Sequence, residues 1–169
     1  MRSAEAPIYL VGMMGAGKST VGAALASRLA RRFVDLDRVI EAGAGTTIAQ
    51  LFGRVGEPAF RALERAAIAS LDDRGAVVAT GGGTFVDEAA RTHMLARGTV
   101  VYLRAPVEVL AQRLQDGMAQ RPLLAAGASR LVELLAQRRE SYERAEHVVD
   151  TAGLSIAQVV EAVASRVAA

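Results

Sequence analysis

The chain has 169 residues, 51% of them hydrophobic and 22% charged, which is long enough to bury a substantial core and too apolar to stay disordered. A net charge of +2 is too small for the electrostatic footprint of a nucleic-acid or membrane-surface binder, and 4% aromatics leave little for base stacking. With no cysteine, disulfides and thiolate metal sites are excluded, and every apolar run is interrupted well short of the ~20 residues of a membrane span.

In chain order, Ile8-Tyr9-Leu10-Val11 reads as a buried strand, and residues 21–30 as a helix with Val21, Leu25 and Leu29 four apart. Phe33-Val34-Asp35 is a short strand. Residues 48–52 and 58–71 read as helices, the second with Pro58 in its permissive first turn. Residues 76–79 form a third strand that runs into Thr80-Gly81-Gly82-Gly83. A helix over 87–96, a strand over 99–103 and a helix over 106–114 follow. Residues 116–129 show no period and contain Gly117, Pro122 and Gly127. A helix over 130–145, a strand over 147–149 and a helix over 155–167 complete the chain. Five short apolar strands alternating with helices predict an α/β fold, a parallel sheet covered on both faces. No repeat, low-complexity tract or linker divides residues 1–169, so one domain is expected. Ligands of such sheets bind at the carboxyl ends of the strands.

Between the first strand and first helix stands Gly12-Met13-Met14-Gly15-Ala16-Gly17-Lys18-Ser19, which matches the phosphate-loop pattern in the required strand–helix context. Such glycines let backbone amides turn toward phosphates, and the helix start adds its positive end. Lys18 is the only lysine among the 20 basic residues. At this position it would reach the β- and γ-phosphates of a nucleoside triphosphate, with the Ser19 hydroxyl directed at Mg²⁺. Gly15, Ala16, Gly17 and Thr20 complete the ATP-binding candidates. An ordinary glycine-rich turn is the bland alternative.

Other charged residues divide more evenly between chemistry and structure. Asp35 and Asp37 are two apart at the end of a strand and so face one side, as a pair offset by a cation and a substrate hydroxyl would; equally, Asp37 could cap a following helix. Arg61 has Glu57 four residues before it and Glu64 three after, which from spacing alone favours surface ion pairing. Arg138 shares a helical stripe with Leu131, Leu134, Leu135 and Tyr142, where a guanidinium needs an anionic partner. Arg139 lies off that stripe and is expected in solvent. Gly81, Gly82 and Gly83 allow close approach of backbone to a ligand, or form only a flexible turn. The aperiodic segment containing Arg121 suits a lid that excludes water during phosphoryl transfer. His93 and His147 attract no role.

Taken together, the phosphate loop, Phe33-Val-Asp35-Leu-Asp37, Phe60-Arg61-Ala-Leu-Glu64, Thr80-Gly81-Gly82-Gly83, Arg121-Pro122-Leu123-Leu124 and Arg138 before Tyr142 resemble the shikimate kinase family over residues 8–163. The resemblance implies a nucleoside monophosphate kinase-like fold with strand order 2-3-1-4-5, substrate-binding helices over about 37–71 and a lid over about 116–129. It implies transfer of the ATP γ-phosphoryl to the 3-hydroxyl of shikimate. Asp35 would hold Mg²⁺ beside Ser19, and Asp37 would meet the shikimate hydroxyls as a catalytic group with Lys18 and Arg121. Arg61 and Arg138 would grip the substrate carboxylate against Gly81, Gly82 and Gly83, which reverses the surface reading of Arg61. Arg121 would reach the transferring phosphate, and Arg113 would lie on adenine. A monomer in the cytoplasm is expected, with no nucleic-acid or membrane partner and no secretory segment in residues 1–7. A sister kinase for gluconate or a nucleoside monophosphate is the near rival. A non-catalytic nucleotide-binding relative is the other, though it should have lost Lys18, Asp35 or Asp37.

Overall fold

The computed structural model describes residues 5–115 and 127–168. Five parallel strands form one sheet: β1 (Ile8–Val11), β2 (Arg32–Asp35), β3 (Ala76–Ala79), β4 (Thr99–Arg104) and β5 (His147–Asp150), in the order β2-β3-β1-β4-β5. The predicted order is therefore observed. Every residue of β1 and β3 is buried, because helices cover both faces of the sheet and leave no side for polar residues.

The helices are α1 (Lys18–Arg28), α2 (Leu36–Ala44), α3 (Ile48–Val55), α4 (Glu57–Ser70), α5 (Glu88–Arg97), α6 (Val107–Leu114), α7 (Ala128–Tyr142) and α8 (Ile156–Val167). Helix α1 packs on α8 and on β2 and β3, while α2, α3 and α4 pack on one another as an excursion between β2 and β3. A short 3-10 turn, Thr84–Val86, follows the three glycines and lies against α4, α5 and α7. Capping boxes start α3 at Thr47 with Gln50 and α8 at Ser155 with Gln158, each satisfying two otherwise unpaired backbone donors.

Three expectations change. Helix α1 begins at Lys18 rather than at residue 21: Gly17 caps it with φ +92°, so Lys18, Ser19 and Thr20 occupy the first turn. Strand β2 ends at Asp35, and Asp37 lies in the first turn of α2, not on a strand. The cap of that helix is Asp35, whose carboxylate accepts from the Asp37 and Arg38 backbone amides at 3.1 and 3.4 Å. At the other end of the chain, α7 starts at Ala128, so Ala128 and Ser129 belong to a helix and not to an aperiodic lid. The remainder of the expected lid, residues 116–126 with Arg121, lies outside the described residues.

Parallel pairing aligns the carboxyl ends. Asp35 stands opposite Ala79, Leu10 opposite Ala79 on the other side, and Val11 opposite Tyr102. The segments that follow β1, β2 and β3 therefore open onto one crevice, as the topology of open α/β sheets requires.

Candidate active site

The phosphate loop forms the floor of a cleft of about 510 Å³. Gly15, Ala16, Gly17, Lys18, Ser19 and Thr20 all line it, together with Asp37, Gly81, Gly82 and Arg113. The Lys18 ammonium is nearly buried and donates to the Gly12 and Met13 carbonyl oxygens at 2.8 and 2.9 Å, which curls it over the loop. The start of α1 offers the amides and positive dipole end that favour phosphate. Ser19 Oγ donates to Asp35 Oδ2 at 2.7 Å, so a hydroxyl and a carboxylate converge at the loop's edge. The other Asp35 oxygen is held by the α2 cap, which fixes the carboxylate orientation.

Asp37 sits across the cleft from the loop. Burial, then the charges of Asp35 and Glu64, push its carboxyl up to about 6, while Lys18 pulls the other way. A carboxylate poised near neutrality can accept a proton from a reacting hydroxyl.

The three glycines after β3 carry the charged side chains directly against their backbone. A Cβ on Gly81 would collide with Glu64 Oε1 and stand 3.2 Å from Asp37 Oδ1. A Cβ on Gly82 would stand 3.1 Å from Arg138 Nη1, and one on Gly83 would collide with the Arg61 guanidinium. Close approach, not backbone conformation, favours glycine here: a side chain at any of the three would displace a charged group of the site. Arg61 pairs with Glu57 at 3.4 Å and with Glu64, so the ion pairs expected from spacing exist, yet only a fifth of its side chain is exposed. Glu64 is buried and also accepts from Thr84 Oγ1 at 3.0 Å.

Arg138 is 5% exposed on the buried stripe of α7, with Leu131, Leu134, Leu135 and Tyr142 around it, and Arg139 is exposed as expected. Its Nη1 has no hydrogen-bond partner among the described residues. Breaking a buried pair, which leaves such a charge uncompensated, costs about 3–5 kcal/mol, so this donor needs an anion. Arg61, Gly83, Arg130 and Arg138 line a second cavity of about 340 Å³. Since Gly82 lines the first cavity and contacts Arg138, the two cavities meet at the glycine turn.

Arg113 occupies the far end of the cleft. It donates to Thr151 Oγ1 at 3.2 Å, to the Thr151 carbonyl at 3.3 Å and to the Gly15 carbonyl at 3.4 Å. Leu154, Ile156 and Val159 supply an apolar wall beside it. The resemblance also implies adenine contacts near residues 150–155, where Thr151 lies, whereas Glu64 was overlooked as part of the site. Glu64 shares a buried face with Phe60 and Ile68 at four-residue spacing, and Thr151 directly follows a strand's carboxyl end, so both carried a usable signal.

The family model described as Shikimate kinase matches residues 14–168. A curated shikimate kinase of Halorhodospira halophila is 49% identical over 150 residues, which is 86% of this chain and 84% of that protein. One from Paramagnetospirillum magneticum is 47% identical over 147 residues, 85% of this chain and 75% of that protein. Among solved structures, shikimate kinase from Acinetobacter baumannii in complex with shikimate superposes with a TM-score of 0.92 at 36% identity, covering 97% of this chain and 93% of that one.

Proposed function

The chain belongs to the shikimate kinase family, and from that premise we propose that its two cavities are the donor and acceptor halves of one phosphotransfer site. ATP lies along residues 12–20, and shikimate lies against Gly81, Gly82 and Gly83. The reaction moves the γ-phosphoryl group to the 3-hydroxyl, giving shikimate 3-phosphate and ADP on the way to chorismate and the aromatic amino acids. The observation that carries the acceptor assignment is the buried Nη1 of Arg138, unpartnered among the described residues, a few ångströms from the glycine turn and beside Arg61. Two guanidinium forks over a glycine backbone match one fixed carboxylate.

Each residue then has a task. Lys18 and the loop amides hold the β- and γ-phosphates, and Arg61 and Arg138 hold the carboxylate, so the acceptor ring is turned toward the phosphate chain. Asp37 hydrogen-bonds the acceptor hydroxyls and takes the proton as the new oxygen–phosphorus bond forms and the bond to ADP breaks. Arg113 and the apolar wall take the nucleobase. Arg121 belongs to the same proposal through its motif, as the cation that meets the moving phosphoryl group. Mg²⁺ fits the hard oxygen donors that Ser19 and Asp35 bring together, and when bound it neutralises charge on the β- and γ-phosphates. Action as a monomer in the cytoplasm belongs to the same proposal, with ATP as donor supporting the cytoplasmic location.

The test is ADP release, measured by a coupled assay, with shikimate, gluconate and nucleoside monophosphates as acceptors. Turnover with shikimate alone is the expected result. Faster turnover with gluconate or a nucleoside monophosphate would replace the acceptor assignment.

A further inference from the structure

Tyr142 stands at the junction of three parts of the site, and nothing in the reaction above uses its hydroxyl. It follows Arg138 by one turn on the buried face of α7. Its ring is fully buried and stacks on Tyr102 of β4, with centroids 5.0 Å apart and planes 28° apart. Its hydroxyl donates to the Gly82 carbonyl and lies 3.6 Å from Met13 Sδ in the phosphate loop. Burial pushes the phenol up to about 12, against the opposing charge of the neighbouring Arg138 guanidinium, so the group remains an O–H donor at neutral pH.

Packing does not require that hydroxyl. Phenylalanine would fill the same space and keep the stack on Tyr102. A buried hydroxyl is tolerated where a partner takes its proton, and the partner here is the middle glycine of the turn that contacts Arg138. The same oxygen borders the phosphate loop, so the donor and acceptor halves share this one contact point.

We propose that Tyr142 is a positioning residue: its hydroxyl pins the Gly82 carbonyl, sets the gap between the glycine turn and Arg138 in which the acceptor carboxylate sits, and ties that gap to the phosphate loop at Met13. The inference rests on the acceptor assignment made above. Without the hydroxyl, the turn is free to shift and the unpaired carbonyl seeks a new donor, for which the neighbouring Arg138 Nη1 is available. A guanidinium diverted in this way no longer serves the carboxylate.

The test compares wild type with Tyr142→Phe, using Tyr102→Phe as a control that alters the other ring of the same stack. In Tyr142→Phe the KM for shikimate should rise about tenfold, the size of one lost hydrogen bond. The KM for ATP should stay within twofold and the melting temperature within about 5 °C. The tenfold penalty should disappear with an acceptor whose carboxylate is reduced to an alcohol. Tyr102→Phe should match wild type in all of these. An unchanged shikimate KM in Tyr142→Phe overturns the proposal. So does a variant that fails to fold, or one in which shikimate and ATP affinity fall together with the melting temperature, since the hydroxyl is then only a structural tie. If wild type itself does not phosphorylate shikimate, the acceptor assignment has failed instead, and the two failures are distinct.

Discussion

Asp37 is held in a state that burial disfavours, and this has opposite consequences for stability and for turnover. Its folded pKa of about 6 lies above the ordinary 3.8, so between those values the native state binds more protons than the unfolded chain. Stability therefore falls as pH rises through that window, and above about pH 6 the full penalty, roughly 1–3 kcal/mol, is present. Asp37→Asn should raise the melting temperature of the ligand-free protein at pH 8, with the gain shrinking toward pH 4, while shikimate turnover is lost. Equal or lower stability of the variant at pH 8, in parallel melts across pH, would contradict this account. The neighbouring glycines follow a similar logic at a different level. Their residue type was visible in the chain, but only the approach of Glu64 to Gly81, Arg138 to Gly82 and Arg61 to Gly83 shows which charged group a side chain at each would push aside.

Among the elements, the loop between α4 and β3 shows how structure away from the site keeps the strand ends in place. Asp73 is fully buried there and accepts from the Tyr9 hydroxyl of β1 and from Arg97 Nη2 of α5 at 2.7 Å. Burial raises its carboxyl, but Arg97 and Tyr9 outweigh that and hold it below the ordinary value. Its stabilisation is therefore present at neutral pH and lost as pH falls through the lowered folded pKa. Asp73→Ala leaves the buried Tyr9 hydroxyl unpaired and should cost roughly 1.5–3 kcal/mol at pH 7, read by denaturant unfolding, with kcat near wild type at temperatures where the variant is folded. A variant as stable as wild type would show that the cluster contributes nothing. The strands were legible because apolar runs of four to six residues bounded by glycine or charge have few other uses. Helix α2 was not, since Asp35-Leu-Asp37 alternates like a strand, and only the capping bonds from Asp35 reveal that the chain has turned. The two-residue displacement of the α7 start has a similar origin: Ala128 and Ser129 carry no periodicity of their own.

In the whole molecule, the strand order decides which distant residues meet. Arg61 on α4 and Arg138 on α7 are 77 positions apart in the chain, yet both reach the turn after β3 because α4 and α7 both pack against the 3-10 turn that follows it. The donor and acceptor halves should for that reason be separable by mutation. Arg138→Ala should lower kcat/KM for shikimate by about 2–5 kcal/mol, roughly thirtyfold to several thousandfold, while calorimetric binding of a non-hydrolysable ATP analogue stays within twofold. Unchanged shikimate kinetics would remove Arg138 from the acceptor site. The sequence by itself determined the phosphate loop, the five strands and the family resemblance, because a motif of eight residues and an apolar period are local properties that survive any arrangement of the rest. Spacing alone left Arg61 as one more helical ion pair and Asp35 and Asp37 as a pair open to two readings, and only the family resemblance pointed them at a substrate. Tertiary structure alone decided that Glu64 is buried, that Asp37 is pushed toward neutrality, and that Arg138 keeps, among the described residues, an unpaired donor at a glycine backbone. Burial and the meeting of charges depend on every element at once, so no segment of the chain carries them alone.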